Sequence, residues 1–292
     1  MSNPPKALYK HVEPERIDIL ENLKIRFTPP TSFNDPFDLS PAIVQPSEIE
    51  MKSLERKVAD RIYWKLYFSG RVLSRKEFDK ILNGPQEKAR EFFRDNPDFF
   101  REEFARRQSD WFGKTMGILC LSETANNLLM WSHYTDSHKG FIIEFDPRNP
   151  FFYKPDKPVG IHCGHLEQVE YPETENRPEF TPRGKDFHSM SSMFITKSIH
   201  WNYEQEWRVF QLLEHSNQRL TLGQETIHLF DLPPDCMTGI IVGCKMEEQP
   251  ETMKRFIRAI KSNPHLSHLI GKICVAKKDS RKFSLNYVPL AI

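Results

Sequence analysis

From about residue 47 to residue 110 the chain is charge-rich with apolar residues at helical spacing, while on either side of this block it breaks into short strand-like runs. In the block, Leu54, Val58, Ile62 and Leu66, then Phe92, Phe93, Phe99, Phe100 and Phe104, predict three or four amphipathic helices. Breaks are expected near Gly70, Gly84-Pro85 and Asn96-Pro97. Outside it, strand signals fall at 8–12, 24–27, 116–122, 140–145, 160–171, 206–213, 226–229, 239–244, 272–276 and 283–288. Pro14 opens a short helix that runs to residue 23, and a second helix at 249–262 carries Met253, Phe256, Ile257 and Ile260 on its apolar side. This balance predicts an α+β fold: a mixed, mainly antiparallel sheet core with a helical insertion. The core is assigned to residues 1–46 and 112–292, and the insertion to 47–111. Neither a Gly-x-Gly-x-x-Gly turn nor a phosphate-loop Gly-Lys-Ser/Thr is present, which argues against a doubly wound nucleotide fold.

Composition narrows the partners. With 292 residues the chain can bury a sizeable core. Its 41 basic residues against 40 acidic ones leave a net charge of +1, so no global field draws it to nucleic acid or to a membrane. The basic stretches 71–76 and 101–107 are interleaved with acids and read as solvated helix faces, although the insertion remains a candidate partner-binding surface. Five cysteines, Cys120, Cys163, Cys236, Cys244 and Cys274, are odd in number, widely spaced and mostly set in apolar runs. They read as reduced thiols of a cytoplasmic protein, with no membrane span and no signal peptide. His162-Cys163-Gly164-His165 gathers three metal-ligand types, but no second pair has zinc-like spacing, and no metal is expected.

Chemistry is concentrated in Trp201-Asn202-Tyr203-Glu204-Gln205-Glu206-Trp207-Arg208-Val209-Phe210, where an aromatic loop becomes a strand. If this run is extended, Glu204, Glu206 and Arg208 share one side, and Tyr203, Gln205, Trp207 and Val209 share the other. Glu206 then has Glu204 and Arg208 as neighbours that shift its pKa in opposite directions. A plain Glu206 to Arg208 ion pair on a wet sheet face is the competing reading. Elsewhere, His11 and Tyr9 share a face of the first strand, and Ser122 ends the strand 116–122. Trp131, His133 and Tyr134 lie in a short helix, and Asn34 and Asp35 lie in a tight loop expected to be anchored by burial of Phe33 and Phe37. Taken singly, Ser122 also fits a turn cap and His133 a packing residue.

Several segments in order, Leu8-Tyr9-Lys10-His11, Ser32-Phe33-Asn34-Asp35-Pro36-Phe37-Asp38, Met130-Trp131-Ser132-His133-Tyr134, His138-Lys139-Gly140-Phe141 and Tyr203-Glu204-Gln205-Glu206-Trp207-Arg208, resemble the bacterial domain of unknown function 2971 family across nearly the whole chain. That resemblance carries no activity. A second resemblance, to the ADP-ribosyltransferase superfamily, rests on the order of His11 on the first strand, Ser122 at the end of a middle strand, and Glu204-Gln205-Glu206 at a strand start. It departs from that superfamily in having Leu121-Ser122-Glu123 where a Ser-Thr-Ser motif is usual.

The second resemblance implies an NAD-dependent ADP-ribosyltransferase-like enzyme, a toxin or antiviral defence effector acting on a protein or nucleic-acid acceptor, with NAD as substrate. Glu206 would be catalytic, assisted by Glu204. His11, Tyr9, Ser122, Asn34, Trp131, His133, Tyr134 and Arg208 would bind the dinucleotide. Two alternatives stay open: a non-catalytic ligand-binding or interaction module, and a metal-dependent nucleic-acid enzyme using Asp35, Glu123, Glu206 and the histidines.

Overall fold

The computed structural model describes residues 4–68, 74–153, 164–181, 192–223 and 225–292. Gly70, His162 and Cys163 lie outside the described residues, and Leu54, Val58, Ile62 and Leu66 outside the described side chains. The protein is α+β. Its described strands are β1 (Leu8–Val12), β2 (Lys24–Arg26), β3 (Ala42–Ile43), β4 (Met116–Ser122), β5 (Phe141–Phe145), β6 (Leu166–Gln168), β7 (Glu179–Phe180), β8 (Glu206–Leu212), β9 (Gln218–Leu222), β10 (Glu225–Asp231), β11 (Met237–Val242), β12 (Ile273–Lys278) and β13 (Leu285–Pro289). The chain divides into two compact units. The first comprises Met1–Asp38, Phe112–Glu175 and Ile195–Ile292, and the second Leu39–Trp111 and Asn176–Phe194.

The first unit holds an eight-stranded sheet in the order β13-β12-β11-β5-β1-β4-β8-β6, and β2, β10 and β9 form a separate three-stranded sheet. Every ladder in the larger sheet is antiparallel except β11 with β12. That parallel pair needs a crossover, and the helix Pro250–Ser262 supplies it, burying Phe256, Ala259 and Ile260. Because side chains alternate along each strand, Leu8, Leu121, Phe141, Ile143, Trp207, Val209 and Ile240 join one apolar core. Tyr9, His11, Cys120, Ser122, Glu206 and Arg208 fall on the alternate positions. The structure corrects the expected wet face here. Glu206 through Gln211 are all buried, so the charged side of β8 is covered rather than solvated.

A second correction concerns Glu204. It closes a 3-10 turn, Ile199–Glu204, and Gln205 follows in the left-handed region at φ 44°, ψ 55°. Glu204 is therefore not extended, and the single-strand alternation proposed for it fails. A left-handed non-glycine residue costs about 1 kcal/mol, offset here by the contacts that the two flanking carboxylates make.

In the second unit, the helices Glu48–Phe68, Arg75–Asp95 and the greater part of Pro97–Thr115 accompany the short parallel pair β3 and β7. The break expected at Gly84-Pro85 is absent, since Pro85 lies inside the helix Arg75–Asp95. Asn96-Pro97 does separate two helices, as proline at a first helical turn favours. Ala59, Tyr63 and Phe78 form a small core, with the Arg75 guanidinium 5.2 Å from the Tyr63 ring. Among the described residues no helix is long and apolar enough to cross a membrane.

Candidate functional site

β1 and β4 are neighbours that pair very little. β1 matches β5 over its whole length, yet meets β4 at the single pair Tyr9 with Ser122. Further along β4, Ile118 bridges to Thr28 instead, through two backbone hydrogen bonds of 2.9 Å. Between these two points the strands part. Lys10, His11, Val12, Cys120, Leu121 and Ser122 line the resulting cleft of about 570 Å³. A parted ladder leaves backbone groups to satisfy, and the Lys10 ammonium donates to the Cys120 carbonyl at 3.0 Å.

One wall of the cleft is a buried charge cluster. Lys197 Nζ lies 2.5 Å from Glu204 Oε2, 3.1 Å from Glu206 Oε2 and 3.7 Å from Asp38 Oδ2. Arg208 Nε donates to Glu206 Oε1 at 2.8 Å, and Arg208 Nη2 donates to Asp38 Oδ2 at 2.7 Å. Tyr134 donates its hydroxyl to Glu204 Oε1 at 2.5 Å, and Ser122 Oγ donates to the Glu204 carbonyl at 2.6 Å. The left-handed turn at Gln205 lets both glutamates reach one ammonium. Burial of five charges is tolerable only with this degree of mutual pairing, because an unpaired ion in a low-dielectric interior is strongly destabilising.

The electrostatics follow from the pairing. Burial alone would raise the Glu206 carboxyl, but the Arg208 and Lys197 charges outweigh it and hold Glu206 down at about 2. For Glu204, burial wins and its pKa is raised, with Lys197 opposing. Burial disfavours the Lys197 ammonium, yet Glu206, Glu204 and Asp38 together push its pKa up, so it stays charged. On the opposite lining, burial and the neighbouring Lys10 charge pull His11 down to about 3, leaving a neutral imidazole. Both its ring nitrogens are buried and lack a hydrogen-bond partner. A neutral imidazole offers one donor and one acceptor.

Most of the expected residues converge here. Tyr9, His11, Asn34, Ser122, His133, Tyr134, Glu204 and Glu206 all line the cleft. Two do not: Trp131 is fully buried, donating Nε1 to the Ala125 carbonyl at 2.7 Å, and Arg208 lies behind Glu206. Asp35 accepts from the Phe37 backbone at 2.9 Å and stands away from the lining. The 32–38 loop is held differently from the expectation as well, since Phe37 is 64% exposed while Asp35 and Asp38 are buried. Asp38 is anchored by Arg208, so charge rather than aromatic burial pins its end.

Sequence reasoning passed over Lys197, Asp38 and Lys10 as functional groups. Asp38 belonged to a recognised motif, which was a usable signal. Lys197 offered none, because its partner Asp38 is remote in sequence and the other two become neighbours only through the turn. Among the described residues no group of three His, Cys, Asp or Glu is arranged to hold a metal ion, so Asp35, Glu123 and Glu206 do not assemble as a ligand set. Cys120, Cys236, Cys244 and Cys274 are free thiols.

The segment that supplies the helix Leu128–Tyr134, Lys197 and both glutamates is also the one that a family comparison selects. The model of the protein of unknown function family DUF2971 matches residues 130–209. Over that segment the chain is similar to the DUF2971 family. The DUF2971 match thus spans Tyr134, Lys197, Glu204, Glu206 and Arg208, while His11, Asp38 and Ser122 reach the same cleft from outside it. No curated protein and no solved structure matches the chain.

Proposed function

We propose that the cleft binds NAD and that the chain is an ADP-ribosyltransferase-like enzyme with Glu206 as the catalytic carboxylate. The observation that carries this reading is a cross-strand row. Tyr9 pairs with Ser122 and Ser122 pairs with Glu206, so the three strands bearing His11, Ser122 and Glu206 stand side by side around one cleft. The sequence order that suggested the resemblance is therefore matched by spatial adjacency.

The chemistry suits the groups present. Breaking the bond between the nicotinamide nitrogen and the ribose anomeric carbon sends the electron pair to nicotinamide, which leaves neutral, and positive charge develops on the ribose. An ionised carboxylate fixed beside that carbon stabilises the transition state more than the ground state. Glu206, held ionised by Arg208 and Lys197, meets that requirement. The acceptor's nucleophilic atom then bonds to the anomeric carbon and gives its proton to Glu204, whose raised pKa suits a base. His11 offers a donor and an acceptor to ribose hydroxyls, and Trp201, Tyr134 and Phe33 offer ring surface for a base.

A second reading has its own observation. Both oxygens of Glu206 already accept hydrogen bonds, Oε1 from Arg208 and Oε2 from Arg208 and Lys197. A carboxylate so engaged serves equally as the centre of a structural network in a ligand-binding module without catalysis. Nicotinamide release from NAD by wild type and by Glu206→Gln, with thermal unfolding of both, separates the readings. Release that disappears in a folded variant supports the enzyme. Binding of NAD with no release by the wild type supports the binding module, and absence of NAD binding by folded protein overturns the NAD assignment.

A further inference from the structure

Of the free thiols among the described residues, Cys120 alone lines the cleft. On β4 it stands opposite Arg208, as Ser122 stands opposite Glu206, so these four side chains share one face of the sheet. The Cys120 thiol donates to the Glu206 carboxylate. Burial first, and then the Glu206 charge, pushes the Cys120 pKa up, so the sulfur keeps its proton. A thiol is slow towards ordinary electrophiles, which react with the thiolate. Its lone pairs still suffice for a carbon that already carries positive charge, because sulfur is intrinsically a strong nucleophile.

A second observation puts a ligand beside this thiol. Tyr9 pairs with Ser122 in an antiparallel sense, so His11 and Cys120, each two residues removed from that pair, flank the parted ladder on one face. His11 is 6% exposed, and both its ring nitrogens are buried without a hydrogen-bond partner. Polar atoms left so are costly until a ligand matches them, which marks the space next to Cys120 as occupied in the working state. The hydroxyls of Ser122 and Tyr134 are spent on Glu204, whereas the thiol bonds Glu206 itself.

Resting on the NAD reading above, we infer that Cys120 is a modification site: when no outside acceptor is present, the chain transfers the ADP-ribosyl group to this sulfur. The bond from the nicotinamide nitrogen to the anomeric carbon breaks, and its electron pair leaves on neutral nicotinamide. A sulfur lone pair forms the new S–C bond. The thiol proton passes to Glu206 along the hydrogen bond already in place, and from there to water. No oxidant or reductant enters. An outside acceptor gives its proton to Glu204 instead, so the two acceptors use different carboxylates. The thioglycoside formed on Cys120 fills the cleft, and the chain stops after a single turnover.

The test is incubation of the full chain with NAD+ alone, following nicotinamide release together with intact mass and peptide mapping. Any adduct is then treated with mercuric ion, which cleaves S-glycosides and spares adducts on oxygen or nitrogen. Wild type is expected to gain one ADP-ribosyl group on the peptide that holds Cys120, removable by mercuric ion, with release ending as a burst of about one equivalent per chain. Cys120→Ala is expected to lose the adduct, and the wild-type mapping stands even if that variant fails to fold. Continued release by wild type with no adduct, or with the adduct on another residue, overturns the inference and leaves the NAD-cleaving reading in place. An adduct that forms equally well from ADP-ribose also overturns it, because that ligand has no nicotinamide to lose and reacts through its free aldehyde. Neither release nor adduct from folded wild type overturns both.

Discussion

The Tyr134 hydroxyl sits 2.5 Å from Oε1 of Glu204 and ties the helix Leu128–Tyr134 to the turn that starts β8, 70 residues further along the chain. Tyr134→Phe removes a donor to a buried carboxylate oxygen while keeping the ring. The expected loss is about 1–3 kcal/mol of folding stability in urea titration. Because the lost bond favours the charged form, the Glu204 pKa should also rise, moving any pH profile that depends on it to higher pH. An unchanged urea midpoint would remove this contact from the account.

Ser122 holds the same turn from the other side, through its 2.6 Å bond to the Glu204 carbonyl. Ser122→Ala changes volume little but leaves a buried carbonyl without that donor, an expected cost of about 1–3 kcal/mol. Loss of catalysis with stability intact would instead mark the hydroxyl as a ligand contact.

Arg208 neutralises both Glu206 and Asp38 in the interior. Arg208→Met keeps much of the side-chain bulk and strips the charge, so three carboxylates, Asp38, Glu204 and Glu206, remain buried against Lys197 alone. A loss of about 3–5 kcal/mol is expected by calorimetry or chemical denaturation. A variant as stable as wild type would show that the pairing does not hold the fold.

Acid should unfold the protein in two overlapping steps. His11 titrates at 6.5 when unfolded and at about 3 when folded. The unfolded state therefore binds the extra proton, and stability that is complete above pH 6.5 falls by about 1.4 kcal/mol per pH unit on acidification toward 3. Glu206, at 4.5 unfolded and about 2 folded, adds a second loss that begins near pH 4.5 and is complete near 2. His11→Gln should flatten the slope between pH 6.5 and 4.5 and leave the lower step. An unaltered slope in that range would contradict a neutral, buried His11.

Gly140 precedes β5 where a Cβ atom would lie 2.0 Å from the Val12 carbonyl oxygen. Gly140→Ala forces the two backbones apart beside the residues lining the cleft, and a loss of about 3 kcal/mol or more is expected from thermal unfolding.

Period and punctuation in the sequence were enough to place β1, β4, β5, β8, β11 and the helix Pro250–Ser262, because alternation and helical spacing are local properties that burial merely confirms. The same signals set the charge-rich helical block apart from the strand-rich remainder. They misjudged Pro85, where a helix tolerates the lost hydrogen bond, and the fully exposed β9, whose alternation is limited to Leu220 and Leu222. The residue types of the site were legible too: His11, Ser122, Tyr134, Glu204 and Glu206 all come to one cleft.

What the sequence could not decide is how their charges are settled. Glu204 and Glu206 meet at one ammonium because Gln205 turns left-handed, and that ammonium belongs to Lys197, whose partner Asp38 is remote in the chain. The parting of β1 from β4, and with it the cleft, follows from Ile118 pairing with Thr28 instead of continuing the β1 ladder. Local pattern fixes which side chains a strand presents. Only the tertiary structure decides which charges lie close enough in a low-dielectric interior to hold one another ionised.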